Sequence, residues 1–212
     1  MRLSILICSL ESRKDKLASL IKSLLLQIPT SELTTIEGGN ISGDGPWLLT
    51  IYRTADVEIL ICTDNRTLKV GEKRNMLIAN ATGEYTCFID DDDEVTDDYV
   101  PQIMAAMDGS DCIVFQVMRY ENGVKDKPAI YGIEFRTDYG NNKAYFRLPN
   151  HLMPIKRSIT SRIPFEAINF GEDSAWAKKV RPHLTSQSRI YDTLYRYMFS
   201  TTGTETQKPI YE

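Results

Sequence analysis

Tyr85-Thr86-Cys87-Phe88-Ile89-Asp90-Asp91-Asp92-Asp93-Glu94-Val95 is the stretch on which the reading of this chain turns. Its first five residues are apolar or β-forming and follow Gly83, which predicts a short buried strand. Four aspartates and a glutamate then run without a break. Each carboxylate repels the next, so the cluster costs stability unless a cation neutralises it. Hard oxygen donors of this kind suit Mg²⁺, Mn²⁺ or Ca²⁺. Carboxylates at the carboxyl end of a sheet strand also stand where open α/β folds bind ligands. The expectation is a divalent-metal site at a strand end, holding a phosphorylated ligand.

A solvated acidic loop is the plain alternative. Calcium-loop spacing fails: counted from Asp90, the sixth place holds Val95 where Gly is needed, and the twelfth holds Pro101 where Glu is needed. Asp91, Asp93 and Val95 fit the Asp-x-Asp-x-Thr/Val signature of haloacid-dehalogenase-type phosphatases. That signature follows the first strand of its fold, whereas here at least two strands come earlier.

Outward from this stretch, strands alternate with helices. Leu3 to Leu10 is nearly all apolar, as expected of a central parallel strand. Ser12 can cap the helix that follows, whose apolar residues Leu17, Leu20, Ile21, Leu24, Leu25 and Ile28 recur at helical spacing up to Pro29. Residues 30–55 hold loop signals at Gly38, Gly39, Gly43, Gly45 and Pro46, with a possible strand or flap from Trp47 to Tyr52. Val57 to Thr63 predicts a second buried strand ending in Asp64-Asn65. Asp64 there can accept hydrogen bonds from a nucleobase or ribose, or simply form a turn. Gly71-Glu72-Lys73-Arg74-Asn75 opens a helix closed by Gly83 as C-cap. Lys73 and Arg74 in its first turn make sense beside a bound anion; the other reading leaves them in solvent. Asp97 or Asp98 caps a further helix, and Asp111 to Val117 forms another buried strand. This order indicates a mainly parallel sheet. From Tyr120 to Phe146 short strands and turns predict an antiparallel or mixed portion. Glu172 and Asp173 then open a late helix, where its dipole favours them.

The composition is that of an ordinary soluble protein: 212 residues, 42% hydrophobic and 25% charged, enough for one domain with a real core. A net charge of −4 does not indicate a basic nucleic-acid binder. No apolar run approaches a membrane span, and the N-terminal run reads as a strand rather than a signal peptide. Cys8, Cys62, Cys87 and Cys112 each lie in or beside a separate apolar run, without zinc-pair spacing. Buried free thiols fit a reducing compartment, so a cytoplasmic location is expected.

Several of these stretches together resemble the family-2 glycosyltransferases. Leu3 to Ser9 resembles their first strand, and Asp64 their base-binding aspartate. Gly71 to Asn75, Ala81-Thr82-Gly83-Glu84-Tyr85 and Phe88 to Asp93 resemble the central signature: a helix with an Arg-Asn pair, then Gly-Glu-Tyr, then Asp-x-Asp. Gly171-Glu172-Asp173 resembles the motif that supplies the catalytic base, and Leu194-Tyr195-Arg196-Tyr197 the aromatic segment after it. The loop Ser9-Leu10-Glu11-Ser12-Arg13 departs from the family's common Pro-Thr-Tyr-Asn-Arg.

The resemblance implies a GT-A fold, a Rossmann-like α/β domain with a mixed, mainly parallel central sheet flanked by helices. It implies one catalytic domain over 1–199, with a donor half to about 117, an acceptor half after it, and a polar tail over 200–212. It implies an inverting enzyme, dependent on Mn²⁺ or Mg²⁺, with a nucleotide-sugar donor (a UDP-sugar favoured) and a saccharide or other hydroxyl acceptor. By position, Asp173 would be the base with Glu172 beside it. Ser9, Glu11, Asp64, Lys73, Arg74, Asp90 and Asp91 would contact the nucleotide, and Asp92, Asp90 and His183 the metal. His151 would line the acceptor side. Rival readings are a transferase acting on modified DNA bases, which Lys156, Arg157, Arg162, Lys178, Lys179 and Arg181 permit, a non-catalytic nucleotide-sugar-binding relative, and a metal-dependent nucleotidyltransferase.

Overall fold

The computed structural model describes residues 2–29, 33–39 and 47–200. In chain order its elements are β1 (Leu3–Leu10), α1 (Lys14–Leu25), β2 (Thr34–Gly39), β3 (Trp47–Arg53), β4 (Val57–Asp64), α2 (Val70–Asn80), β5 (Tyr85–Phe88), β6 (Glu94–Val95), α3 (Tyr99–Ala105), β7 (Cys112–Glu121), β8 (Val124–Tyr131), β9 (Tyr139–Gly140), β10 (Tyr145–Arg147), β11 (Ile155–Lys156), α4 (Arg157–Thr160), α5 (Glu172–Val180) and β12 (Gln187–Phe199).

The most apolar strands take the centre. β1 pairs in parallel with β4 on one side and β5 on the other. Leu3, Ile5, Leu6 and Ile7 of β1 and Ile59 and Leu60 of β4 are fully buried. Each such side chain contributes about 1.5–3 kcal/mol by leaving water. The sheet runs β2-β3-β4-β1-β5-β11-β7-β8-β10-β9, with β12 parallel to β7 and antiparallel to β6. Antiparallel pairing joins β2–β3, β3–β4 and β7–β8 and also places the short β11 between β5 and β7, while residues 120–146 form the expected mixed portion, with β8 antiparallel to β7 and parallel to β10. The insert over 30–55 supplies the edge hairpin β2–β3 beside β4. Its predicted loop glycines Gly43 and Gly45, with Pro46, lie outside the described residues, as does all of the expected 200–212 tail after Ser200.

One polar network ties the core strands together. Glu58 of β4 is fully buried and accepts from Ser4 Oγ at 2.6 Å, Thr82 N–H at 2.6 Å and Arg53 Nη2 at 2.7 Å. Burial works against its charge, but the Ser4, Thr82 and Arg53 donors outweigh it and lower its pKa.

Several local expectations are corrected. Ser12 lies in a 3-10 turn, Glu11–Arg13, and makes no cap; Arg13 takes the N-cap position of α1. Gly83 is not a C-cap, because α2 ends at Asn80. A Cβ at Gly83 would meet Ser4 N at 2.7 Å and Leu3 C at 2.8 Å, so glycine is needed for close packing on β1. Because α2 starts at Val70, Lys73 and Arg74 fall just past its first turn, and both are buried rather than solvated. Asp98 holds the N-cap position of α3, but its carboxylate accepts from the Gln102 side chain rather than from backbone. No helix among the described residues is long and apolar enough to cross a membrane.

Candidate active site

From β1 the chain leads through α1 and the edge hairpin to β4; from β4 it crosses through α2 to β5, on the other side of β1. Such a reversal opens a crevice at the carboxyl ends of the strands it separates. Ser9 lies next to the last residue of β1 and the aspartates follow β5, and Ser9 Oγ donates to Asp91 Oδ2 at 2.7 Å across that gap. The cleft above has a volume of about 800 Å³. Of the expected nucleotide, metal and base residues, Ser9, Lys73, Arg74, Asp90, Asp91, Asp92, Glu172 and Asp173 line it.

The floor is a set of internally paired charges. Lys73 Nζ bonds the Asp64 carboxylate and donates to Ser9 O at 2.9 Å. Asp64 also accepts from Leu68 N–H at 2.8 Å and Thr67 Oγ1 at 3.2 Å. It is fully buried and does not line the cleft, so the structure places it beneath the wall as Lys73's partner. Burial opposes its charge, yet Lys73 and Leu68 lower its pKa.

Arg74 is 4% exposed and lies 4.8 Å over the Phe88 ring. Its Nη2 donates to Asp90 Oδ1 at 3.1 Å and its Nε to Glu172 Oε1 at 3.3 Å. Burial disfavours its charge, but Asp90 and Glu172 raise its pKa overall. Its Nη1 is buried without a hydrogen-bond partner, as is His151 Nδ1. His151 Nε2 stands 3.4 Å from Asp90 Oδ2. Burial acts against the Asp90 charge, and Arg74 and His151 overcome it, holding this carboxyl well below the usual range. Glu172 goes the other way: burial is the main cause that raises it, with Asp173 adding to the effect.

The four aspartates divide by what they touch. Asp91, 3% exposed, is held by Ser9 and by Arg13 Nη1 at 2.6 Å. Asp92 is half-buried, 3.3 Å from the same Arg13 nitrogen. Burial raises its pKa, and Asp90 and Asp91 add to the rise against Arg13. Asp93 turns inward, accepting from Tyr195 O–H and Met198 N–H, each at 2.7 Å. Tyr195 Oη also accepts from Asp90 N–H at 3.1 Å, so β12 fixes the acidic loop from below.

Two expected residues lie elsewhere. Glu11 is exposed in the turn after β1, and His183 is exposed in the 3-10 turn Arg181–His183 after α5; neither lines the cleft. His151 is the histidine in the cleft. Arg13 and Tyr195 are site residues that the sequence does not single out. An arginine two residues after Glu11, facing four acids, is the available signal for Arg13; Tyr195 has none beyond the aromatic segment.

Hard oxygen donors in the cleft suit a divalent cation. Asp90 and Asp92 are such donors, and the mutual repulsion at Asp92 is the kind a cation relieves. Among the described residues no group of three His, Cys, Asp or Glu side chains is placed to hold a metal ion. Mg²⁺-type sites often need only one or two carboxylates, with substrate phosphates completing the shell, so the donor set fits a cation that arrives with a diphosphate. The cysteines are free, and Cys62, Cys87 and Cys112 are buried, their thiols pushed up to about 12 by burial.

The family model described as glycosyl transferase family 2 matches residues 4–168. A comparison with curated protein sequences finds no match. Among solved structures, S. aureus TarS 1-349 in complex with UDP-GlcNAc is similar at 14% identity and a TM-score of 0.65, covering 98% of this chain and 61% of that one. The complex of TarS 1-349 with UDP is similar at 15% identity and a TM-score of 0.62, covering 94% and 61%. The longer S. aureus TarS structure is covered over only 37% of its length. This chain therefore spans less than two thirds of the structures it resembles. At such identities the likeness concerns the fold, which is the expected GT-A arrangement.

Proposed function

The chain belongs to glycosyl transferase family 2, and we propose that it moves a sugar from a nucleoside-diphosphate donor to an acceptor hydroxyl with inversion at the anomeric carbon. The observation that carries this reading is the meeting of the acidic loop, Arg74 and the Glu172–Asp173 pair in one cleft, at the carboxyl ends of β1 and β5. A uridine nucleotide is favoured because TarS structures of the same fold hold UDP-GlcNAc and UDP.

Asp92 and Asp90 would hold Mn²⁺ or Mg²⁺ against the diphosphate. The bound cation would supply Lewis-acid stabilisation of the charge growing on the leaving group. Arg74, fixed by two carboxylates and a ring face, offers its unpartnered Nη1 to an anionic oxygen. Lys73 and Ser9 keep the end of β1 in place beside the nucleotide. Asp173 lines the cleft beside Glu172 in the first turn of α5; it accepts from Ser174 N–H at 2.7 Å and would take the proton of the attacking hydroxyl. Glu172, tied to Arg74, orients rather than reacts. The acceptor, a saccharide or similar molecule, would enter over the wall of Tyr131, Tyr145, Arg147 and Tyr197.

The test is UDP release from a panel of UDP-sugars, including UDP-GlcNAc, with Mn²⁺ and candidate acceptors. Asp173→Asn should lower the rate about 10²- to 10⁴-fold while leaving UDP binding within about twofold of wild type. Full activity in Asp173→Asn would remove Asp173 from the role of base.

A further inference from the structure

Arg13 stands between β1 and α1, facing the acidic loop across the crevice. It holds the N-cap position of α1, where the helix dipole disfavours a cation. Its side chain is 19% exposed and reaches across the crevice to the acidic loop, with Nη1 2.6 Å from Asp91 Oδ1 and 3.3 Å from Asp92 Oδ2. The two carboxylates differ in what else they have. Asp91 is 3% exposed, and its second oxygen takes the Ser9 hydroxyl. Asp92 is cleft-lining and 24% exposed, and it holds the longer of the two contacts to Arg13. One guanidinium nitrogen is thus shared between an anchor carboxylate and a cleft carboxylate, and the weaker half of the sharing points into the cleft.

We infer that Arg13 is a positioning residue that competes with the divalent cation for Asp92. It neutralises Asp92 when no cation is bound, and keeps its hold on Asp91 when a cation takes Asp92. The inference rests on the metal-dependent reading above and goes beyond it. A guanidinium and a divalent cation near one carboxylate repel each other, so the cation must push the Nη1–Asp92 contact apart on binding. Metal affinity in the absence of nucleotide is therefore held down by Arg13.

The experiment titrates Mn²⁺ into wild type, Arg13→Gln and Asp92→Asn, reading free Mn²⁺ by its EPR signal, with and without UDP. Removing an arginine contact of this kind should tighten Mn²⁺ binding about three- to tenfold in Arg13→Gln. In parallel, wild-type protein is treated with phenylglyoxal, and labelling of Arg13 is mapped by mass spectrometry. Mn²⁺ should raise Arg13 labelling, and this readout needs no folded variant. Unchanged or weaker Mn²⁺ binding in folded Arg13→Gln, with wild-type binding lost in Asp92→Asn, would overturn the competition while leaving the metal site intact. Binding of Mn²⁺ to wild type without any change in Arg13 labelling would overturn it equally. If wild type and Arg13→Gln bind no more Mn²⁺ than Asp92→Asn, with or without UDP, the metal reading itself fails and takes this inference with it.

Discussion

On the floor of the cleft Lys73 meets Asp64, Arg74 meets Asp90 and Glu172, and Arg13 meets Asp91; apart from the partly exposed Asp90, these side chains are largely removed from water. On the far wall, Arg147 donates to the carbonyls of Tyr139 and Phe146 and lies 5.1 Å from the Tyr145 ring, and Arg119 pairs with partly buried Asp126 and exposed Glu121. The floor sits at the ends of fully buried parallel strands, where an unpaired charge is costly. The wall draws its side chains from β7, β8, β10 and β12, and its charged groups Arg119, Asp126 and Arg147 are partly exposed, where charge pairs are worth little. The floor is therefore fixed by the same interactions that hold the fold, whereas the wall can change its side chains cheaply.

The largest effect is expected of Arg74→Met. It leaves Asp90 and Glu172 facing each other without their shared cation, and should cost roughly 3 kcal/mol in urea unfolding. A loss under about 1 kcal/mol would mean that the floor is not structurally committed. Next comes Gly83→Ala, whose added methyl would press on the backbone of Leu3 and Ser4. About 1–3 kcal/mol of destabilisation is expected by the same measurement.

A smaller effect concerns pH. Unfolded, Asp93 titrates near 3.8; in the fold, burial and then Asp90 push it well above that value. The folded state keeps a proton that the unfolded chain releases, so this group's contribution is full below about pH 4 and is lost as pH rises through the folded pKa. Asp93→Asn removes that loss, so its urea midpoint should gain on wild type from pH 4 upward. Parallel curves for the two proteins would contradict the assignment. The smallest effect is expected on the wall, where Arg147→Met should change stability by less than about 1 kcal/mol.

The same contrast explains what could be read from residues alone. The β1–α1, β4–α2–β5 order was legible because strands buried on both faces are written as nearly continuous apolar runs, such as Leu3 to Leu10 and Val57 to Thr63. The acidic loop and the Glu172–Asp173 helix start were legible because charge density and motif spacing are local properties. Pairing across the sheet was not. Nothing near Asp93 announces that Tyr195, more than a hundred positions later, fixes it. His151 and His183 look alike as lone histidines; only the pairing of Phe88 N–H with His151 O brings the first to Asp90. The place of Asp64 was half legible: its strand end is evident, but Lys73, one turn into α2, closes it off from the cleft.

The most direct test of the account is thermal-shift and calorimetric titration with UDP and UDP-sugars, in Mn²⁺ and in EDTA, on wild type and Asp92→Ala. A ligand that binds only the folded state raises its apparent stability, by about 2.7 kcal/mol at a hundredfold excess over Kd. A uridine nucleotide should stabilise wild type in Mn²⁺, EDTA should remove the effect, and Asp92→Ala should abolish it. Equal stabilisation of wild type and Asp92→Ala, or none by any nucleotide under either condition, would contradict a metal-assisted donor site at the ends of β1 and β5.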